Sequence, residues 1–128
     1  MEKEVKKLDV TERINTFEDA LIETKRPSVP AFADAPEDLR EYFQEQYRGI
    51  VLAEAYNEGK KADWTNPNQE KWLPWFRMSS GVFVFCDTSY CCSHANAGCG
   101  SRLCLLEDKT ATDAGRKFPE IYGGILQK

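Results

Sequence analysis

Between Asp34 and Gly59, apolar positions recur every three or four residues: Leu39, Phe43, Gln46 or Tyr47, Ile50, Ala53, and Tyr56 or Asn57. That period predicts a helix of about six turns. Asp34 is placed to cap it, Pro36 falls in its first turn, and Glu37 takes the capping-box position. Gly59 follows as the stop, with Lys60 and Lys61 beside the negative helix end. A shorter helix is predicted over "NTFEDALIETKRP", where Thr16 caps and Asp19 stands three residues on. Phe17, Ala20, Leu21 and Thr24 form its apolar face, and Pro27 ends it. "PSVPAFAD" reads as an extended, proline-punctuated connector.

Beyond Lys61 the period changes from helical spacing to alternation. "KADWTNPNQ" is turn chemistry. "KWLPWFRM" and "GVFVFCDTSY" are short and rich in aromatic and β-branched residues, which predicts a β-hairpin. Trp72, Pro74 and Phe76 share one face; Leu73, Trp75 and Arg77 share the other. Pro74 has no N–H to give a ladder and belongs at an edge. In the second run, Val82, Val84 and Cys86 alternate with Phe83, Phe85 and Asp87. "SRLCLLE" predicts a third strand. Asp108 or Thr110 caps a last helix striped by Ala111, Ala114, Phe118, Ile121 or Tyr122, and Ile125, which Pro119 should kink or split. The expected fold is α+β in the order α-α-β-β-β-α, a small three-stranded antiparallel sheet with helices on one face. Residues 1–15, charged and poor in apolar side chains, are expected to be a flexible arm; residues 16–128 form a single domain.

Composition narrows the function classes. A chain of 128 residues is enough for one domain, and its hydrophobic and charged fractions are those of a soluble globule. The net charge of −4 gives no general attraction to phosphate backbones or anionic membranes, so nucleic-acid binding needs a local basic patch. No apolar run approaches the roughly 20 residues of a membrane span. The charged start "MEKEVKKLDVTERI" lacks the apolar core of a secretory signal, so a cytoplasmic location and reduced thiols are expected. An odd count of five cysteines does not suit a closed disulfide framework. No P-loop, GxGxxG, HExxH or GxSxG motif occurs, and no cofactor is expected.

All five cysteines and the single histidine fall in "CDTSYCCSHANAGCGSRLC". As a zinc module, Cys86, Cys92, His94 and Cys99 are the candidate ligands, although the spacing is not the paired pattern of knuckles and ribbons. As a thiol-dependent enzyme, the segment needs His94 close to a cysteine and backbone oxyanion donors from "AGCGS". The plainer reading makes Cys86 and Cys104 strand residues and the remainder a small-residue loop. Separately, Trp72, Trp75, Arg77, Tyr90 and Arg102 form a candidate binding set on an aromatic, arginine-bearing sheet face, for a protein or nucleic-acid partner. The competing assignment for the aromatics is the core of the sheet.

Four phrases carry a family resemblance: "PEDLREYFQEQYRGIVLAEAYNEG", "DWTNPNQEKWLPWF", "AGCGSRLCL" and "AGRKFPEIY". Together they resemble small uncharacterised proteins from phages and mobile elements of anaerobic gut bacteria. Those share a W-x-N-x-N-Q-x-K-[WY]-x-P-W-F block, then G-S-R-L-C, then a final helix with A-G-x-x-F. The similarity spans about residues 16–125 and departs at Cys91, Cys92 and Cys99. It implies little chemistry, and it places Cys104 in a strand behind a turn at Gly100 and Ser101; the expected function is that of a non-enzymatic phage or mobile-element accessory protein acting by binding.

Overall fold

The computed structural model describes residues 8–79, 82–91 and 102–127. Its elements in chain order are α1 (Val10–Arg13), α2 (Phe17–Thr24), α3 (Glu37–Tyr56), β1 (Lys71–Ser79), β2 (Val82–Cys91), α4 (Asp108–Lys117) and α5 (Pro119–Gln127). The class is α+β, as the patterning implies. Among the described residues no helix is long and apolar enough to cross a membrane.

The helix signals map onto the structure with two exceptions, one of them at α4, whose N-cap is Glu107 and not Asp108 or Thr110, with no side-chain cap bond. Thr16 caps α2 through a complete capping box with Asp19. Pro119 divides the last helical stretch: α4 ends at Lys117, and proline opens α5, where a missing N–H costs nothing. The other exception is the start of α3. Its N-cap is Pro36, no side chain caps it, and Asp34 stands outside it. The far end closes through Glu58 and Gly59, whose N–H groups bond the Ala55 and Glu54 carbonyls at 3.1 Å each. Both residues have positive φ, 53° and 82°, so Glu58 occupies a left-handed position that glycine usually fills.

Two expectations are corrected. Residues 8–15 are not wholly an arm. Asp9 caps α1 with a capping box, and Val10 and Ile14 are buried in the core. Charge fastens this segment as well. Lys117 donates to the Thr11 and Ile14 carbonyls at 2.5 and 2.8 Å, Lys109 pairs with Asp9 at 2.8 Å, and Arg13 pairs with Glu23 and Glu58.

The sheet is the second correction: among the described residues it has two strands, not three. The described part of "SRLCLLE" is a turn at Arg102 and Leu103, followed by a single bridge from Leu105 to Trp72. The physical reason is a competing partner. Leu105 exchanges both backbone hydrogen bonds with Trp72, at 2.7 and 2.9 Å. The neighbouring backbone groups turn the other way, toward α3. There the buried Asn57 amide donates to the Cys104 carbonyl at 2.9 Å and accepts from the Leu106 N–H at 3.0 Å. The segment is thus clamped between a strand and a side chain, and Glu107 then caps α4 before a ladder can extend.

One core joins these parts. Val51, Leu52, Ala55 and Tyr56 of α3 pack with Leu105, Ala111, Ala114, Phe118 and Ile121. α2 and α5 pack against α3, while α4 lies across both strands. Tyr56 meets the Phe118 ring edge-on at 6.4 Å and donates its hydroxyl to Asp113 at 2.7 Å. Burial, reinforced by that carboxylate, holds the phenol far above its usual titration range.

Replacing Asn57 by the near-isosteric Asp keeps the acceptor but sets a carboxylate against the Cys104 carbonyl. A loss of about 2–4 kcal/mol in urea unfolding is expected, as for a buried polar group left unsatisfied. A change within experimental error contradicts the clamp. Acid provides a second check. Asp9 is held below its ordinary value by Lys109 and Thr11, and Glu54 is held below its own by Arg26. Carboxylates lowered in the folded state stabilise it above their unfolded values, and that contribution fades as protons return. The melting temperature should therefore hold from about pH 7 to about 5 and fall below about 4.5. A level profile down to about pH 3 contradicts these pairings.

Candidate functional site

The hairpin carries the sequence-derived candidates, and its register decides which of them meet. β1 and β2 pair antiparallel from Lys71↔Cys91 to Ser79↔Val82. Between Trp75↔Asp87 and Phe76↔Phe85 the register shifts, leaving Cys86 as an extra residue in β2. Such a bulge reverses alternation. Phe85 therefore turns to the face opposite Asp87, although strict alternation puts the two together. It meets Phe76 edge-on at 6.2 Å, beneath α4. The bulge is not visible in sequence, because "VFVFCDT" alternates without interruption.

Directly paired residues share a face. The inner face bears Trp72 with Tyr90, Pro74 with Thr88, and Phe76 with Phe85. Trp72 stacks on Tyr90 at 4.7 Å and donates its indole N–H to Glu70. Thr88 hydrogen-bonds Asp108 of α4, and Phe76 stacks on Tyr122 of α5. Trp72 is thus core-side, while Tyr90 keeps 54% of its surface exposed at the margin. The outer face bears Leu73, Trp75 and Arg77 opposite Ser89, Asp87 and Val84. Trp75 is 59% exposed and Val84 51%.

Gly115 explains why the helices crowd the inner face. A Cβ there would lie 2.6 Å from a Phe85 ring carbon and 2.9 Å from the Pro74 Cβ. Only glycine lets α4 settle this closely on the strands. Beside it, the Arg116 guanidinium lies 5.7 Å from the Phe85 ring centre. At the base of the hairpin, Lys71 is almost fully buried. Its ammonium donates to the Asn66 carbonyl at 2.9 Å and stands 5.2 Å from the Trp64 ring centre. A buried lysine that makes no salt bridge among the described residues has no signature in sequence; the nearest cue is the aromatic Trp64 in the preceding turn.

The five candidate binding residues therefore separate. Trp75 and Arg77 share the bare outer face, and Trp72 and Tyr90 form a stacked pair on the inner one. Arg102 lies elsewhere, in a small cleft with Ile50, Glu54, Asn57, Gly59, Lys60 and Lys61. Of the candidate metal ligands, Cys86 is exposed on β2, while Cys92, His94 and Cys99 lie outside the described residues. Among the described residues no group of His, Cys, Asp and Glu is gathered to hold a metal ion. Cys104 is buried one residue before the Leu105 bridge and is not a strand residue as expected.

A wider groove of 730 Å³ runs between α2, α3 and α5, with Phe17, Leu21, Phe118 and Ile121 on its apolar floor. Both of its cations are occupied. Arg48 pairs with Glu45 at 2.6 Å, and Lys117 holds Asp113 and the α1 carbonyls. Comparison of the chain with protein-family models, with curated proteins and with solved structures gives no match.

Gly115→Ala is expected to destabilise the fold by about 1–2 kcal/mol, the overpacking at Phe85 and Pro74 outweighing the gain in helix propensity. An increase in chemical-denaturation stability contradicts this seating of α4 on the hairpin.

Proposed function

We propose that the protein is a non-enzymatic binding module whose outer hairpin face docks a partner protein. The observation that carries this reading is Trp75, more than half exposed on a strand, with half-exposed Val84 and exposed Arg77 beside it on the same face. Tryptophan and arginine are the side chains most often found to dominate protein interfaces, where a rigid ring fills a pocket and a guanidinium pairs at its edge. Asp87 and Ser89 supply a polar margin. A protein partner is favoured over nucleic acid for this face because, among the described residues, Arg77 is its only exposed strand cation and Asp87 offsets it, within a chain of net charge −4. The motif resemblance supports an accessory role in a phage or mobile element, acting in the cytoplasm of a bacterial host.

The test places a photo-crosslinking residue at Val84 or, as a control, at Ile22, which is exposed on α2. The expected result, in the cells that make the protein, is a discrete adduct from position 84 that disappears with Trp75→Ala. An adduct of equal yield from position 22, or one indifferent to Trp75→Ala, contradicts the assignment. Salt-dependent binding of an oligonucleotide that is lost with Arg77→Ala selects the nucleic-acid alternative instead.

A further inference from the structure

We infer that Lys60, Lys61 and Arg102 form a binding site for a phosphate-type oxyanion at the end of α3, separate from the hairpin face. The three cations line one cleft, together with Ile50, Glu54, Asn57 and Gly59 and with no residue of β1 or β2. They come from chain positions about forty residues apart, joined by the clamp that Asn57 places on Cys104, two residues beyond Arg102. Arg102 is therefore brought to Lys60 and Lys61 by the fold itself.

The charge balance favours an incoming anion. All three side chains are exposed, and none makes an ion pair among the described residues. The one carboxylate in the cleft, Glu54, is engaged by Arg26 through both oxygens at 2.8 and 3.1 Å. Lys61 and Arg102 act on Glu54 through space, after Arg26, and help keep it ionised. Arg26 and Glu54 cancel, so a net charge of +3 remains on a protein whose total is −4. Like charges held this close repel, and an oxyanion relieves the repulsion. The negative end of α3 is the opposing influence. It is blunted because the Glu58 and Gly59 N–H groups already occupy the Ala55 and Glu54 carbonyls.

The chemistry suits phosphate. A guanidinium presents a planar fork to two oxygens, and ammonium groups add mobile point charges. A dianion matches three cations better than a single carboxylate does. The cleft measures only 20 Å³, so it admits an oxygen of the anion while the remainder sits at the mouth. Such a site takes inorganic phosphate or a phosphodiester.

Two probes distinguish the sources: inorganic phosphate followed by phosphorus NMR line broadening, and a fluorescent single-stranded oligonucleotide followed by anisotropy. Both are titrated in chloride at fixed ionic strength. The variants are Arg102→Ala and the double charge reversal Lys60→Glu with Lys61→Glu, each checked for an unchanged melting temperature in chloride. Binding of either probe is expected to weaken about tenfold in Arg102→Ala and to vanish in the double reversal. Response to phosphate alone assigns a free anion; response to both assigns a phosphodiester. Equal binding by wild type and double reversal, or binding of neither probe at tens of millimolar phosphate, overturns the site. Trp75→Ala serves as the control for the hairpin face and leaves this binding unchanged.

Discussion

The fold depends on how the backbone from Cys104 to Leu106 is satisfied. This short extended segment runs through the centre of the protein, where a bare N–H or carbonyl is costly. A strand on each side would solve the problem, but among the described residues only one strand flanks the segment. β1 takes Leu105 through two backbone bonds, and the Asn57 amide takes Cys104 and Leu106 from the other side. One side chain thereby does the work of a strand. Asparagine is suited to this because its amide carries a donor and an acceptor in one plane, as a peptide group does. The cost of placing it is met locally: α3 ends at Tyr56, so Asn57 is the cap residue and can turn inward.

The neighbouring contacts follow from that position. Tyr56, one residue earlier, directs its ring at Phe118 and its hydroxyl at Asp113. Asp113 also accepts from Lys117, and Lys117 reaches the carbonyls at the end of α1. A chain of polar contacts thus runs from the end of α3 through α4 to the start of the described chain. Glu58, two residues after Tyr56, pairs with Arg13 of the same N-terminal segment. Beyond the clamp, Arg102 is delivered to Lys60 and Lys61, and Trp72 is fixed at the foot of the hairpin. With α4 seated on its inner face at Gly115, the hairpin is left with one covered face and one bare face.

Much of the helical layer is legible in the residues. The period of α3, the Thr16–Asp19 capping box and the break at Pro119 each have a local cause that acts within a few residues. The hairpin is legible for the same reason. What is hidden depends on distant partners. "DVTER" is too short to show a period, and α1 exists because Val10 and Ile14 find the core and Lys117 finds its carbonyls. "SRLCLLE" has strand composition, yet Asn57 competes for its backbone and holds it to a single bridge. The bulge at Cys86 inverts half of β2 without any glycine or proline to announce it. The candidate site was legible residue by residue but not as a set. Trp75 and Arg77 share a face as alternation implies, whereas Arg102 belongs with two lysines whose sequence role looked like helix-end compensation alone.

Native-state hydrogen exchange of the Leu105 and Leu106 amides tests the clamp most directly. Leu105 donates to Trp72 and Leu106 to Asn57, so the two report its opposite sides. If the segment is held from both sides, both amides exchange only through global unfolding, with the same protection as the amide of the buried Leu52 in α3. Exchange of Leu106 through a low-energy local opening, while Leu52 stays protected, would show that Asn57 does not hold the segment and would contradict the account.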